Sequence, residues 1–383
     1  MTLVVQKFGG TSVGSPERIR AVAARVAQTR REVQHLVVVV SAMGQTTDQL
    51  VDLAQRVHPH PPRREMDMLL TAGERISMAL LAMALRLEDI EAISFTGSQV
   101  GLITDSTHGH ARILEIRGDR IREELGRGRV VIVAGFQGVS KTREVTTLGR
   151  GGSDTTAVAL AGALGAERCE IYTDVPGVMT ADPRGVPAAR LIRHLDYPTA
   201  VVLTGLGAGV LVPRAASLGY TLGVPLVVRS SMDQGPGTRI DSEVSLEGPR
   251  PVAVTRAAPV EWLEIPHQGA STALDGLTVL AWQQDGPAAP VRALVQLPEG
   301  GAAPAGARVM GSGVLVSLVL SGAAGPELLT RAREIATLEG ARERAAFAGL
   351  GYLSLLVGAD EADRVCAAWH REWLEGAPPR RAT

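Results

Sequence analysis

Lys7 stands in the run Lys7-Phe8-Gly9-Gly10-Thr11-Ser12, in a chain that writes almost every positive charge as arginine. Of its 39 lysines and arginines, only Lys7 and Lys141 are lysines. Lysine offers a compact point charge on a flexible stem, whereas arginine offers a wide planar fork. A narrow, glycine-lined pocket for a phosphoryl group suits the former. Gly9 and Gly10 let the backbone approach an anion with no Cβ in the way. A second loop, Ser41-Ala42-Met43-Gly44-Gln45-Thr46-Thr47, and a third, Thr147-Leu148-Gly149-Arg150-Gly151-Gly152-Ser153-Asp154, are also rich in glycine and hydroxyl groups.

The third loop combines flexible glycines, an arginine fork and the start of a helix. Backbone N–H groups and the helix dipole there favour phosphate or carboxylate. Arg150 can grip a carboxylate with two hydrogen bonds. Asp154 either caps the helix or binds a substrate ammonium or a metal-bound phosphate. Glu74, in Thr71-Ala72-Gly73-Glu74-Arg75, is a carboxylate beside a glycine in an apolar helix, on a solvated face or in a site. Competing nucleotide motifs are missing. The P-loop requires Gly-Lys-Ser/Thr, and neither lysine follows a glycine. Gly205-Leu206-Gly207-Ala208-Gly209 lacks the last spacing of the dinucleotide fingerprint. No protein-kinase catalytic-loop pattern occurs.

The elements that must position these loops alternate between strand and helix over the first ~230 residues, which predicts a mainly parallel α/β sheet covered on both faces. Leu3–Phe8, Leu36–Val40, Val130–Ala134, Glu170–Thr173 and Pro225–Arg229 read as buried strands. Ser15 is an expected N-cap with Pro16 at the first helical position, and Ile19, Val22, Ala23 and Val26 mark one helix face. A long helix is expected over Arg64–Leu87, and another over Thr155–Leu164. The loops Lys7–Gly10, Ser41–Gly44 and Gly135–Gly138 each follow a strand directly. Ligands of open α/β sheets bind beyond the carboxyl ends of strands, so these loops should converge on one crevice.

The bulk numbers exclude several classes. A net charge of −1 argues against nucleic acid as a partner, and 3% aromatic residues argue against base-stacking surfaces. No uninterrupted apolar run reaches the ~18 residues of a membrane span. The N-terminus reads as a strand rather than a signal peptide. Cys169 and Cys366 lie apart in apolar segments with no partner at metal-ligand spacing, which predicts inert packing residues in a reducing cytoplasm.

Gly235-Pro236-Gly237-Thr238 and Gly248-Pro249-Arg250-Pro251 mark a boundary, dividing the chain into 1–240 and 250–383. Beyond it, Val252–Thr255, Val260–Ile265, Leu277–Trp282 and Val291–Leu297 read as strands. After the Gly/Ala/Pro stretch Pro298–Gly306 come a strand at Val314–Leu320, a helix at Pro326–Leu338, a strand at Tyr352–Val357 and a helix at Asp360–Leu374. Ala362, Val365, Cys366, Trp369 and Trp373 share one face of that last helix and read as a core stripe.

The blocks Lys7–Ser12, Val39–Gly44, Thr71–Glu74 and Thr147–Asp154 resemble the signatures of the aspartokinases, members of the amino-acid kinase superfamily. So do Ile171–Val178, Ala181-Asp182-Pro183-Arg184 and Val227-Val228-Arg229-Ser230-Ser231. Their order spans residues ~1–240 without a gap. The resemblance implies an αβα sandwich of the amino-acid kinase type over 1–240 and a smaller α+β, ACT-like regulatory or dimerisation region over 250–383. It implies transfer of the γ-phosphoryl of ATP, with Mg2+, to the β-carboxylate of L-aspartate, in a cytoplasmic homo-oligomer, a dimer. The product, 4-phospho-L-aspartate, feeds lysine, threonine and methionine synthesis. Lys7, Gly9 and Gly10 would hold the transferring phosphoryl group with Ser41 nearby. Thr47, Glu74, Phe136, Arg150, Ser153 and Asp154 would hold aspartate, and Thr173, Asp174, Asp182 and Arg184 would line the nucleotide. No residue is assigned as a protein ligand of a metal, and Lys7 and Asp154 carry the catalytic role. Alternatives are another kinase of the superfamily, acting on glutamate or a nucleotide, and a non-catalytic amino-acid-sensing subunit.

The chain departs from the family pattern at Met179, where tyrosine is usual, at Arg190, often lysine, and at Val212, usually histidine. Tyr197–Thr204 lacks the customary acidic residues. Val314–Leu374 resembles one ACT half. The other has only Pro266–Gly276 where a full helix should stand and lacks the Asp-x-Pro-Gly turn.

Overall fold

A computed structural model of the chain describes residues 2–243, 250–275, 277–297 and 301–376. Gly248-Pro249, Gly276 and the opening of the Gly/Ala/Pro stretch at 298–300 lie outside the described residues. By packing, the chain forms two compact units: Met1–Val178, Ile192–Tyr197 and Val210–Glu243 make the first, and Met179–Leu191, Pro198–Gly209 and Val244–Thr383 the second.

The first unit opens with β1 (Leu3–Phe8), α1 (Pro16–Glu32) and β2 (His35–Val40). Ser15 caps α1 by accepting the Arg18 N–H at 3.3 Å, and Ile19, Val22, Ala23 and Val26 are buried as their spacing demands. Then come α2 (Thr46–Val57), α3 (Arg63–Leu70) and α4 (Ala72–Arg86). The single helix expected over Arg64–Leu87 is two. Thr71 ends one and starts the next, and its hydroxyl donates to the Met68 carbonyl at 3.0 Å, a local bond that competes with the helical ladder. By length and composition alone Arg63–Arg86 could cross a membrane. In the fold it is broken at Thr71, buries Asp67 and Glu74, and packs Leu81, Ala84 and Leu85 into the core beneath α1 and the sheet.

The unit continues with β3 (Ala92–Phe95), β4 (Leu102–Thr104), β5 (Ile113–Ile116), α5 (Asp119–Gly126), β6 (Val130–Ala134), β7 (Gln137–Ser140), β8 (Val145–Thr147), α6 (Gly152–Leu164), β9 (Arg168–Thr173) and β10 (His194–Asp196). After α7 (Tyr197–Gly205), most of which packs in the second unit, it closes with α8 (Pro213–Leu222), β11 (Leu226–Ser230) and β12 (Thr238–Asp241). Eight strands form one sheet in the order β10-β12-β11-β9-β1-β2-β6-β3. Every neighbouring pair from β11 to β3 is parallel, and β12 runs antiparallel to β11. α1 and α4 cover one face, and α6, backed by α8, covers the other, giving the αβα sandwich. β5-β4-β7-β8 make a small separate sheet. Cys169 is fully buried, and burial raises its thiol pKa well above the usual range.

In the second unit, β13 (Pro251–Arg256), β14 (Val260–Ile265), α9 (Ala270–Leu274), β15 (Thr278–Gln284) and β16 (Val291–Gln296) precede β17 (Arg308–Ala323), α10 (Pro326–Leu338), β18 (Ala345–Val357) and α11 (Ala362–His370). A π-helical turn, Arg371–Glu375, ends the described chain's last helix, which was expected to run unchanged to Leu374. The strands form an antiparallel sheet, β13-β17-β14-β16-β15, with β18 also on β17. Val314, Val316, Leu318 and Leu320 pack under α10 and α11 with Ala362, Val365, Cys366 and Trp369, the stripe read from the sequence. Burial pushes the Cys366 thiol up to about 12, so it stays protonated and inert. α9 has only five residues, in the segment read as too short for a full helix.

Candidate active site

The loops that follow β1, β2, β6 and β9 are stitched together at the carboxyl edge of the sheet. Gly9 N–H donates to the Tyr172 carbonyl (3.2 Å), Ser41 N–H to Phe8 (3.1 Å), Gly44 N–H to Gly10 (3.0 Å) and Gly135 N–H to Val40 (3.0 Å). Glycines let these elements close on one another. A Cβ on Gly73 would stand 2.7 Å from Ala42 Cβ, and one on Gly135 would stand 2.7 Å from both Cβ and Oγ of Ser153. The first lets the start of α4 close on the Ser41–Gly44 loop. The second seats the start of α6 against the strand β6 exit. Phe136 next to it adopts φ +69°, a left-handed conformation rare for a bulky residue, held by Thr156 accepting its N–H at 3.1 Å and by its own carbonyl accepting Leu148 N–H at 2.9 Å.

Into this crevice point Lys7 and Asp154, with Nζ 2.6 Å from Oδ1. Oδ1 is the close charge partner of Lys7, and nothing else among the described residues donates to it. Lys7 Nζ also sits over Gly9, 3.5 Å from where a Cβ would be. Glu74 is buried. Its Oε1 accepts the Ala42 N–H at 3.2 Å, and its Oε2 is buried with no partner among the described residues. Burial lifts its pKa from 4.5 to about 7, since removing a carboxylate from water disfavours the charged form. An ammonium placed against it would restore the charge. Ser41 and Thr47 are half-buried, Thr47 in the first turn of α2, and Ser153 is buried in the first turn of α6. Arg150 is exposed and, among the described residues, has no carboxylate partner.

Thr173 and Asp174 lie at the end of β9, where the Thr173 hydroxyl donates to Asp174 Oδ1 at 3.1 Å. Asp182 and Arg184 belong to the second unit. Arg184 grips Asp182 from Nε (3.1 and 3.2 Å) and Nη2 (2.8 Å), and that guanidinium holds the Asp182 carboxyl below its usual range. They line a pocket of about 470 Å³ together with Arg256, Asp363 and Cys366 of the same unit.

Sequence reasoning missed the supports. Asp67, almost fully buried, accepts from Gly109 N–H (3.1 Å) and the Thr147 hydroxyl (2.5 Å) and meets His108 Nδ1 at 2.7 Å, anchoring the strand that leads to Arg150. Arg214 donates to the Leu148 and Ala111 carbonyls, both at 2.9 Å, clamping the same loop. Val212 fills the space beside Gly151. The one local signal for Asp67 was an acidic residue between Met66 and Met68.

Residues 2–230 match the model of the amino acid kinase family. An aspartokinase of Bacillus sp. (strain MGA3) is 57% identical over 247 residues, covering 64% of this chain and 60% of that protein. The chain spans about 60% of the length of the curated relatives it matches. Among solved structures, E. coli aspartokinase III in complex with aspartate and ADP (R-state) superposes with a TM-score of 0.81 at 25% identity, covering 97% of this chain and 100% of that one. Aspartate kinase from Synechocystis is 37% identical, with a TM-score of 0.59, covering 100% of this chain and 71% of that one.

Proposed function

The chain belongs to the amino acid kinase family, in its aspartokinase branch, and we propose that it transfers the γ-phosphoryl of ATP to the β-carboxylate of L-aspartate, giving 4-phospho-L-aspartate. The observation that carries this reading is the Lys7–Asp154 ion pair at the same sheet edge as the buried Glu74, whose Oε1 holds the Ser41–Gly44 loop and whose Oε2 has no partner among the described residues. Glu74 and Asp154 suit the ammonium of an amino acid, and the Arg150 fork, without a carboxylate partner among the described residues, suits its α-carboxylate. Thr47, Phe136 and Ser153 shape the space around it. Lys7, Gly9, Gly10 and Ser41 receive the phosphoryl group. The E. coli relative was solved with aspartate and ADP, which supports the same pair of ligands here.

The attacking oxygen belongs to a carboxylate of pKa ~4, already ionised near neutrality, so no general base is needed. What the residues supply is position and charge neutralisation. Lys7 offsets the charge that builds on the moving phosphoryl. Magnesium keeps most of its waters and takes one or two carboxylates plus phosphate oxygens. The ion, held on the phosphate oxygens, would neutralise phosphate charge. Thr173, Asp174, Asp182 and Arg184 hold the nucleotide in this reading. Residues 1–240 carry catalysis, and 250–383 act in regulation or dimerisation of a cytoplasmic enzyme at the head of lysine, threonine and methionine synthesis, with neither nucleic acid nor membrane as partner.

A coupled assay with ATP, Mg2+ and a panel of amino acids tests this. Turnover of L-aspartate, with little of L-glutamate, is the expected result. Faster turnover of glutamate or of a nucleoside monophosphate, or no turnover of any acceptor, would overturn it.

A further inference from the structure

Ser231 lies one residue past the carboxyl end of β11, and its N–H donates to the Thr173 carbonyl at 2.8 Å. Its hydroxyl oxygen accepts two hydrogen bonds, from the Ser12 hydroxyl at 2.8 Å and from Arg18 Nη2 at 3.1 Å. A hydroxyl has two lone pairs and one proton. With both lone pairs engaged, Ser231 has only its proton left to offer, and among the described residues nothing accepts it. The guanidinium on its oxygen strengthens that donor, because hydrogen bonds in a chain polarise one another. Arg18 is itself unsatisfied. Among the described residues its buried Nε has no partner and no carboxylate neutralises it. Lys7, by contrast, already faces Asp154.

The group is continuous with the loop that carries Gly9 and Gly10. Ser12 N–H donates to the Gly9 carbonyl at 2.9 Å, and Gly9 is tied to β9 through Tyr172. A cation without a carboxylate partner among the described residues and a hydroxyl with an unused proton therefore stand near the ends of β9 and β11. We propose that Ser231 and Arg18, joined through Ser12, form a second phosphate-holding station, which binds a phosphate of the nucleotide other than the one transferred. This rests on the kinase reading above. Ser231 donates its proton to a phosphate oxygen, and Arg18 supplies the charge behind it.

The test is equilibrium binding of ATP, ADP, AMP and adenosine to the full chain and to Arg18→Met, Arg18→Lys and Ser231→Ala. Losing a hydrogen bond to a charged group predicts roughly 10- to 30-fold weaker ATP binding for Arg18→Met and about 5-fold for Ser231→Ala. The double variant should lose little more than Arg18→Met, since the two act as a unit. Arg18→Lys should recover part of the loss. Adenosine binding should stay within about twofold of wild type, because a station for phosphate is blind to the nucleoside. Equal losses for adenosine and ATP would make the group a tie between α1 and the sheet and overturn the proposal, as would unchanged ATP affinity. A wild-type chain that binds no ATP overturns the kinase reading itself.

Discussion

Lys7 Nζ lies 2.6 Å from Asp154 Oδ1, and each side chain is only about a tenth exposed. The pair spans the two motifs that the sequence sets 147 positions apart, one at the end of β1 and the other in the first turn of α6. Breaking a shielded ion pair by removing one partner leaves a buried charge without compensation. An incoming ammonium can take over Asp154 while a phosphoryl oxygen takes over Lys7. Each ligand would then fill the vacancy the other creates, which couples the two substrates through one contact.

Substitution of Lys7 tests whether a point charge is required. The crevice offers Nζ a seat over Gly9 and against Asp154, and a guanidinium is wider than that seat. Lys7→Arg should lose most of kcat, and Lys7→Ala should lose roughly 10²–10³-fold, as for removal of one preorganised charge-stabilising donor. Steady-state kinetics that show near-wild-type turnover for the arginine variant would refute the fit.

Arg150 is exposed and has no carboxylate partner among the described residues, so replacing it should leave thermal stability unchanged. Arg150→Lys exchanges a two-pronged fork for a point charge. The KM for aspartate should then rise by at least about tenfold, with the KM for ATP nearly constant. An equal rise in both constants would remove Arg150 from the aspartate site.

The crevice was legible because each of its loops directly follows an apolar strand, and strand ends are where parallel sheets bind ligands. β1 and β6 match the sequence reading residue for residue, since Val- and Ile-rich runs buried on both faces leave no other interpretation. β17 and β18 run far longer than expected. Arg308–Gly313 pairs with β14 while Val314–Leu320 pairs with β13 and β18, and the first stretch is largely exposed and carries Gly311 and Gly313, so it shows no apolar signal. The small sheet β5-β4-β7-β8 escaped notice because its strands have three or four residues each. Asp67 with Thr147, and Gln6 with Glu170, were illegible in principle, since each joins residues 80 or more apart through buried polar atoms.

Glu74 makes two pH-dependent statements. Its folded pKa, about 7, lies above the 4.5 of the unfolded chain, so the folded state holds its proton more tightly. Stability from this group is therefore fully present below pH 4.5 and is lost as pH rises through about 7. The loss is roughly 3 to 4 kcal/mol at most, at about 1.4 kcal/mol per unit. Glu74→Gln should gain stability relative to wild type across that window, as read from urea unfolding at pH 5 and pH 8. Aspartate binding needs the ionised form, so its Kd should fall as pH rises from 6 to 8, with proton release visible in calorimetry with buffers of different ionisation heats. A Kd flat across that range, or one whose pH dependence survives in Glu74→Gln, would show that Glu74 does not meet the ammonium.

Regulation by lysine or threonine should be weak or absent. A pair of ACT modules builds an effector pocket from a helix and turn in each module. The second half has such a helix, the thirteen residues of α10 between β17 and β18, while the first has only the five of α9. A three-turn helix takes ~11 residues, and the segment 266–276 cannot hold one with its flanking turns. An effector can shift the enzyme only by binding its active and inactive states with different affinity, and a missing wall removes the contacts that would make the difference. The tail instead contributes packing. Val314, Leu353 and Trp369 are fully buried in its core, His370 Nε2 lies 2.9 Å from the Thr180 hydroxyl, and Arg190 donates to the Leu374 carbonyl, so the segment bearing Asp182 and Arg184 is built into the same unit. Activity at saturating ATP and aspartate should hold within about twofold in millimolar lysine, threonine or both, since a ligand with equal affinity for the two states shifts nothing. Strong inhibition at sub-millimolar concentrations of either would show that α10 and its neighbouring strands suffice to sense an amino acid.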